Sequence, residues 1–316
     1  MEVLYHPGDC ATGRACAVTI GAYDGVHTGH RLLIERVRRV AAEQGLAAAV
    51  VTFDRHPASV VRPESAPRLL TDLEQRLELL EDTGVDYVLV VRFDRDRADE
   101  SAEDFVREVL VGCLDTRAVV VGHDFHFGYR RRGNVAFLQD MGAEFGFDVT
   151  GVRLFGTGPG GQPVSSTRIR ELLAAGAVSE AATLLGRPHQ VRGTVTEGDR
   201  RGRELGFPTA NVAFPAQIAV PADGVYAGWY LRPDGAHRPA ALSLGRRPTF
   251  YEEADLSLLE AYLLDFDGDL YGEPARVEFV AHLRGQVRFN SVDELIEQMT
   301  RDVANTREIL GVADLA

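Results

Sequence analysis

The stretch AVTIGAYDGVHTGHRLLIERV, Ala17–Val37, decides how the first half of this chain folds. An apolar run from Ala17 to Ile20 breaks into glycines at Gly21, Gly25 and Gly29. It then resumes with Leu32, Leu33, Val37, Val40 and Ala41 at three- and four-residue steps. That pattern predicts a strand, a glycine-rich turn, and a helix that starts near Gly29 and His30 and stops at Gly45. The first N–H groups of such a helix have no partner inside it, and its dipole leaves about half a positive charge there. A phosphate is the natural occupant. His27 and His30 flank that position, and an imidazole in either protonation state can donate to charge that builds on phosphorus during displacement. The same two residues also suit plain helix capping.

Outward from this stretch the rhythm repeats. Leu46 to Phe53 is a second apolar run, closed by the turn residues Asp54 to Pro57, and reads as a buried parallel strand. Helical spacing covers Asp72 to Asp82 and Ala102 to Cys113, with strands over Val85 to Val91 and Arg117 to Val121. This alternation predicts an α/β, doubly wound parallel sheet, whose ligands bind outside the strand carboxyl ends. His27 and His30, Asp54 and His56, and Asp124 and Phe127 all follow strands. Asp54 and His56 also suit a simple turn, and Phe125 and Phe127 suit either ring stacking or core. Beyond the loop Phe155 to Pro163, the hydroxyls of Ser165, Ser166 and Thr167 can cap a helix that Gly176 ends. Arg168 and Arg170 in its first turns make it a second phosphate cradle, or else a capped helix with solvated arginines.

Composition bounds the partners. A chain of 316 residues, 45% hydrophobic and 26% charged, has room for two ordinary domains. It carries no apolar run of membrane-span length and no basic-then-apolar N-terminus, so a cytoplasmic protein is expected. Its net charge of −13 repels nucleic acid and anionic lipid, and neither is expected as a partner. The arginine clusters at Arg36–Arg39, Arg130–Arg132 and Arg200–Arg203 suit phosphate contacts or solvated faces. All 34 basic residues are arginine, which excludes a Walker A loop and a Schiff base. Cys10, Cys16 and Cys113 form no metal spacing and are expected to be incidental, in a reducing compartment.

After Leu184 to Gly193 short alternating strands and glycine or proline turns replace the βα rhythm, predicting a small antiparallel barrel. The boundary is expected near Gly186, giving domains 1–185 and 186–316. Within GTVTEGDRRGRELGFPTANV (Gly193–Val212) the glycines Gly198, Gly202 and Gly206 let backbone N–H groups approach phosphates. Thr209 and Asn211 offer oxygens two residues apart, a sparse set of the kind Mg²⁺ accepts alongside phosphate and water. Glu260, among Leu258, Leu259, Leu263 and Leu264, is either the outward residue of an amphipathic strand or a partly desolvated base. A C-terminal helix opens with the capping box Ser291 to Glu294 and places Leu295, Ile296, Met299, Val303 and Ile309 on one face as core.

The string G-A-Y-D-G-V-H-T-G-H, followed by VGHDFHFG (Val121–Gly128) and S-S-T-R-I-R (Ser165–Arg170), resembles the adenylyltransferase half of bacterial bifunctional riboflavin kinase/FAD synthetases. The Gly198–Asn211 string resembles the kinase signature of the same family. The likeness continues through Pro221–Gly228, Ser243–Phe250, Leu258–Gly272 and His282–Phe289. It implies ATP-dependent phosphorylation of riboflavin to FMN, then adenylylation of FMN to FAD and pyrophosphate. For the second reaction it implies His27, His30 and Arg170 as catalytic groups. Gly21, Tyr23, Asp24, Gly29, Ser165, Ser166 and Thr167 would hold ATP, with Phe53, Asp54, His56 and Asp124 at the flavin. For the kinase it implies Gly198, Arg203, Gly206, Phe207 and Pro208 at ATP, Thr209 and Asn211 at Mg²⁺, and Glu260 as base. Two positions depart from the family pattern: His126 stands where arginine is usual, and Arg247 where asparagine is usual.

Overall fold

The computed structural model describes residues 1–10, 12–153, 161, 164–198, 202, 205–246 and 257–313. The loop expected over Phe155 to Pro163 lies almost entirely outside them, as do Arg200, Arg203 and Arg247. Chain packing divides the molecule into Met1–Ser166 and Thr167–Ala316. That division falls ahead of Gly186 and groups the helices Ser166–Ala174 and Val178–Leu185 largely with the second unit.

The first unit is built on six strands: β1 (Glu2–His6), β2 (Cys16–Ile20), β3 (Ala47–Phe53), β4 (Tyr87–Val91), β5 (Thr116–Gly122) and β6 (Asp148–Val152). Their order is β1-β4-β3-β2-β5-β6 and every pairing is parallel. Strand β2 is buried throughout, because its alternate side chains enter two separate cores. Val18 and Ile20 join Phe105, Leu110 and Leu138 on one face, while Ala17 joins Ile34, Val37 and Leu80 on the other. Helices therefore cover both faces, as a parallel sheet requires. The chain leaves β2 toward β3 on one side and returns to β5 on the other, so the strand order reverses between β2 and β5. A crevice at their carboxyl ends is the expected ligand position.

The sequence reading omitted β1, β6 and the helix Val135–Phe145. Both strands are sheet edges, β1 mixing exposed and buried positions and β6 having no buried residue, so neither carries the continuous apolar run that marks a buried strand. The helix expected over Ala102 to Cys113 is present, but it passes from α to π winding at Val106. The cysteines are not all incidental. Cys10 and Cys113 form a disulfide, while Cys16 stays free and buried. Sequence spacing did not reveal the pair because 103 residues separate them.

The second unit contains the predicted barrel. Its strands are β7 (His189–Thr196), β8 (Ala210–Ala213), β9 (Gly224–Leu231), β10 (His237–Arg246), β11 (Ser257–Leu263) and β12 (Pro274–Arg284), closed in the order β10-β11-β8-β7-β12-β9. The helix Val292–Leu310 lies on it. Ser291 Oγ accepts from Glu294 N at 3.2 Å, whereas the Glu294 carboxylate receives Asn290 N rather than closing the box on Ser291. Of the residues expected as core on this helix, Ile309 is 45% exposed and Leu295, Ile296, Met299 and Val303 are only half-buried. Ile309 sits two residues before the Gly311 cap, beside the half-buried Leu310.

Candidate functional sites

The turn after β2 is held in an uncommon backbone. Tyr23 has φ 49° and Val26 φ 38°, left-handed values that a β-branched residue adopts only when its surroundings enforce them. Here they do: Val26 is fully buried, its N–H bonds Tyr23 O at 3.1 Å, and Tyr23 OH lies 2.7 Å from Thr19 Oγ1. The result is that the helix Thr28–Gln44 opens at the crevice with His27 as its N-cap. His27 Nδ1 accepts the His30 N–H at 3.3 Å, so Nδ1 carries no proton and Nε2 is the donor. The His27 and His30 rings stack at 3.5 Å with 14° between planes, an arrangement that two imidazolium ions would resist. Burial holds the His30 pKa well below its ordinary value, and the nearby His27 adds to this. His30 Nδ1 is buried and has no hydrogen-bond partner among the described residues. Capping and ligand binding are thus both open to this pair: His27 caps with one nitrogen, and His30 keeps one nitrogen unused.

The other residues expected here take two kinds of place. Gly21 N extends the ladder to Val51 O, and Gly29 is buried beside the His27 ring. The Asp24 carboxylate accepts from Leu70 N, Thr71 N and Thr71 Oγ1 at 2.9–3.3 Å, so it ties the turn to the segment before the helix Leu73–Glu81. Ser166 Oγ donates to Asp24 O at 2.9 Å. Ser165 is exposed. Thr167 and Arg170 lie on the helix Ser166–Ala174, with Arg170 half-buried. After β3, Phe53 packs edge-on against Phe93, Asp54 Oδ1 accepts Phe93 N at 2.8 Å, and His56 Nδ1 accepts Ala58 N at 3.1 Å. Asp124 is exposed just after β5, on the far side of the crevice. Phe127 stacks among Phe105, Phe125 and Phe137, which makes it core. His126 turns back to Asp124 O at 2.8 Å. Sequence reading missed Arg76, 5% exposed, which donates to Ala22 O and Phe53 O at 2.6 Å each. Its helical position gave no local sign of partners far away in the sequence.

In the second unit a cavity of about 900 Å³ lies between the barrel wall and the helix Val292–Leu310. Leu259 and Ala261 fill the barrel interior, each 0% exposed. Strand alternation then turns Glu260 and Tyr262 to the other face, which is the cavity face. Glu260 is half-buried and stands in register with Asn211 of β8 and Ser243 of β10. Thr209, Asn211, Gly198, Phe207 and Pro208 line the same cavity. Gly206 sits at φ 85°, where a side chain would strain the turn. A Cβ at Gly198 would overlap the Asn211 amide, so glycine is needed there to seat Asn211. Asn211 is 8% exposed and its Oδ1 is buried with no hydrogen-bond partner among the described residues. Leu295, Met299 and Val303, expected as core, line the cavity instead. Arg284 holds that helix down through bonds to both Asp302 oxygens at 2.7–3.1 Å.

Among the described residues no three His, Cys, Asp or Glu side chains gather as a metal site. A Thr–Asn pair with one orphaned oxygen fits a hard cation that brings most of its ligands as phosphate and water. No helix in the described residues is long and apolar enough to cross a membrane.

Residues 10–168 match the family described as FAD synthetase and residues 185–310 the family described as riboflavin kinase. The bifunctional riboflavin kinase/FMN adenylyltransferase of Escherichia coli K12 is 39% identical over 302 residues, 96% of this chain and 95% of that protein. The protein of the same name from Listeria monocytogenes is 36% identical over 96% of each. A Streptococcus pneumoniae crystal structure described as a macrolide-efflux protein has a TM-score of 0.85 at 28% identity, over 97% of this chain and 99% of that one. The ordered motifs, the parallel sheet followed by a barrel, and these likenesses agree: the chain belongs to the bifunctional riboflavin kinase/FMN adenylyltransferase family.

Proposed function

We propose that this chain converts riboflavin and ATP to FMN and ADP at the barrel cavity, and FMN and ATP to FAD and pyrophosphate at the turn after β2. The observation that carries the reading is a matched pair of orphans. Two of the buried polar atoms that have no partner among the described residues are His30 Nδ1 in the first unit and Asn211 Oδ1 in the second, and such groups are costly unless a ligand completes them.

In the kinase step Glu260 accepts the proton of the riboflavin 5′-hydroxyl as that oxygen attacks the γ-phosphorus of ATP. ADP leaves with the bonding electrons. The half-buried place of Glu260 on the cavity face, in register with Asn211, is where such a proton could be taken up. Thr209 and Asn211 are the proposed Mg²⁺ ligands, and the ion when bound neutralises phosphate charge. Gly198, Gly206, Phe207 and Pro208 shape the ATP side of the cavity. Arg203, proposed from its motif, lies outside the described residues. In the adenylylation step an FMN phosphate oxygen attacks the α-phosphorus of ATP and pyrophosphate departs, with no covalent enzyme intermediate. His27 donates through Nε2 and His30 through its unused edge, while Arg170 serves as a phosphate ligand on motif grounds. Gly21, Tyr23, Asp24, Gly29, Ser165, Ser166 and Thr167 build or support the ATP position, and Phe53, Asp54, His56 and Asp124 the flavin position.

The working modules proposed are 1–185 and 186–316, and a cytoplasmic location, where ATP is supplied, is proposed with them. The partners are the small-molecule substrates riboflavin, FMN and ATP, with neither nucleic acid nor membrane. The test is a pair of substitutions. His30→Ala abolishes FAD formation and spares FMN formation, and Glu260→Gln does the reverse when FMN is supplied. Loss of both activities from either substitution in a folded protein contradicts the two-site assignment.

A further inference from the structure

We propose that Arg76 is a positioning residue for adenylyl transfer, one buried guanidinium that fixes the ATP-side turn and the flavin-side turn at a set distance. The proposal rests on the adenylyltransferase reading above. Arg76 lies in the first turn of the helix Leu73–Glu81, whose N-cap is Asp72. One of its terminal nitrogens donates to Ala22 O and the other to Phe53 O, both at 2.6 Å. Ala22 belongs to the turn that carries His27, and Phe53 ends β3 immediately before Asp54 and His56. Thr52 Oγ1 reaches the same Ala22 carbonyl at 3.2 Å. Asp24, from the ATP-side turn, in turn grips Leu70 and Thr71 just ahead of this helix. The helix start and the two turns therefore form one closed polar circuit, in which the single Arg76 side chain bonds to both turns.

Two features set this apart from a routine core contact. Arginine is among the residues least often buried, yet Arg76 is 5% exposed and retains a buried Nε with no partner among the described residues. Burial pulls its pKa down, while the charges of Asp24, Asp54 and Asp72 oppose that pull. A planar fork bonded to two carbonyls fixes both distance and angle between them, which a single-point ammonium does less well. In a displacement between two bound phosphates, that spacing sets whether attacking oxygen and α-phosphorus lie in line. A shift near 1 Å costs about 100-fold in rate.

The experiment compares the unsubstituted full chain with Arg76→Gln and Arg76→Lys, measuring FAD formation from FMN and ATP. FMN formation at the barrel serves as the internal control for amount and folding. The expected result for Arg76→Gln is a kcat for FAD formation about 100-fold lower, with KM for ATP and FMN within about threefold of the original. Arg76→Lys recovers part of that kcat, and FMN formation is unchanged in both. An unchanged kcat in Arg76→Gln overturns the proposal. So does a rise in both KM values with kcat intact, or loss of the first unit's cooperative unfolding in both variants, which would make Arg76 merely structural. Failure of the unsubstituted chain to make FAD overturns the adenylyltransferase reading, and this proposal with it.

Discussion

At the residue scale, the His27–His30 pair explains why a short motif does more than its spacing says. Because His27 spends Nδ1 on the helix start, its tautomer is set, and because His30 is buried, with the His27 ring stacked on it, the His30 pKa is held well below its ordinary value. The linkage has a definite sign. His30 titrates below its ordinary 6.5 in the fold, so the unfolded chain binds more protons between the two values. Stability of the first unit therefore rises with pH in that window and is lost as pH falls below 6.5. In urea titrations run from neutral pH down to about 5.5, His30→Asn should flatten that decline. An identical pH slope in the variant would mean that another group carries it. In the barrel, Gly198→Ala should push the Asn211 amide aside. FMN formation then falls roughly tenfold or more, and FAD formation from added FMN does not change.

The helix Val292–Leu310 makes the same case at the level of elements. Its only fully buried residues are polar, Asp302 and Thr306, so apolar packing alone does not seat it. The bond from Arg284 of β12 to Asp302 does, with Gln298 donating to the same carboxylate at 2.9 Å. Asp302→Ala leaves Arg284 without its ionic partner in a half-buried site. It should destabilise the second unit by about 3 kcal/mol and raise KM for riboflavin, because Leu295, Met299 and Val303 form one wall of the cavity. Chemical unfolding and FMN assays check both. This element also shows what sequence can and cannot give. Its limits, its cap and its apolar stripe were legible from local chemistry. What the stripe faces was not, because the Arg284–Asp302 bond joins two distant segments. The same holds for β2, β3 and the His27–His30 turn, which could be read locally. The edge strands β1 and β6, the Cys10–Cys113 bond and Arg76 could not, since each depends on a partner far along the chain or lacks an apolar signature. Glu260 lies between these cases. Its strand was plain, but only the register with Asn211 and the buried flank of Leu259 and Ala261 put it on the cavity face.

For the whole molecule, two units with separate cores imply two reactions that can be disabled one at a time. A mixture of His30→Ala and Glu260→Gln proteins should therefore convert riboflavin to FAD, with FMN made by the first variant consumed by the second. Failure of the mixture, with each variant active in its own remaining step, would require FMN to pass only within one chain. The most direct test of the central claim uses the unsubstituted protein with riboflavin, ATP and Mg²⁺, its flavins separated by chromatography over time. FMN should rise first and then give way to FAD, with ADP and pyrophosphate appearing in step. A time course in which neither flavin is converted would contradict the account.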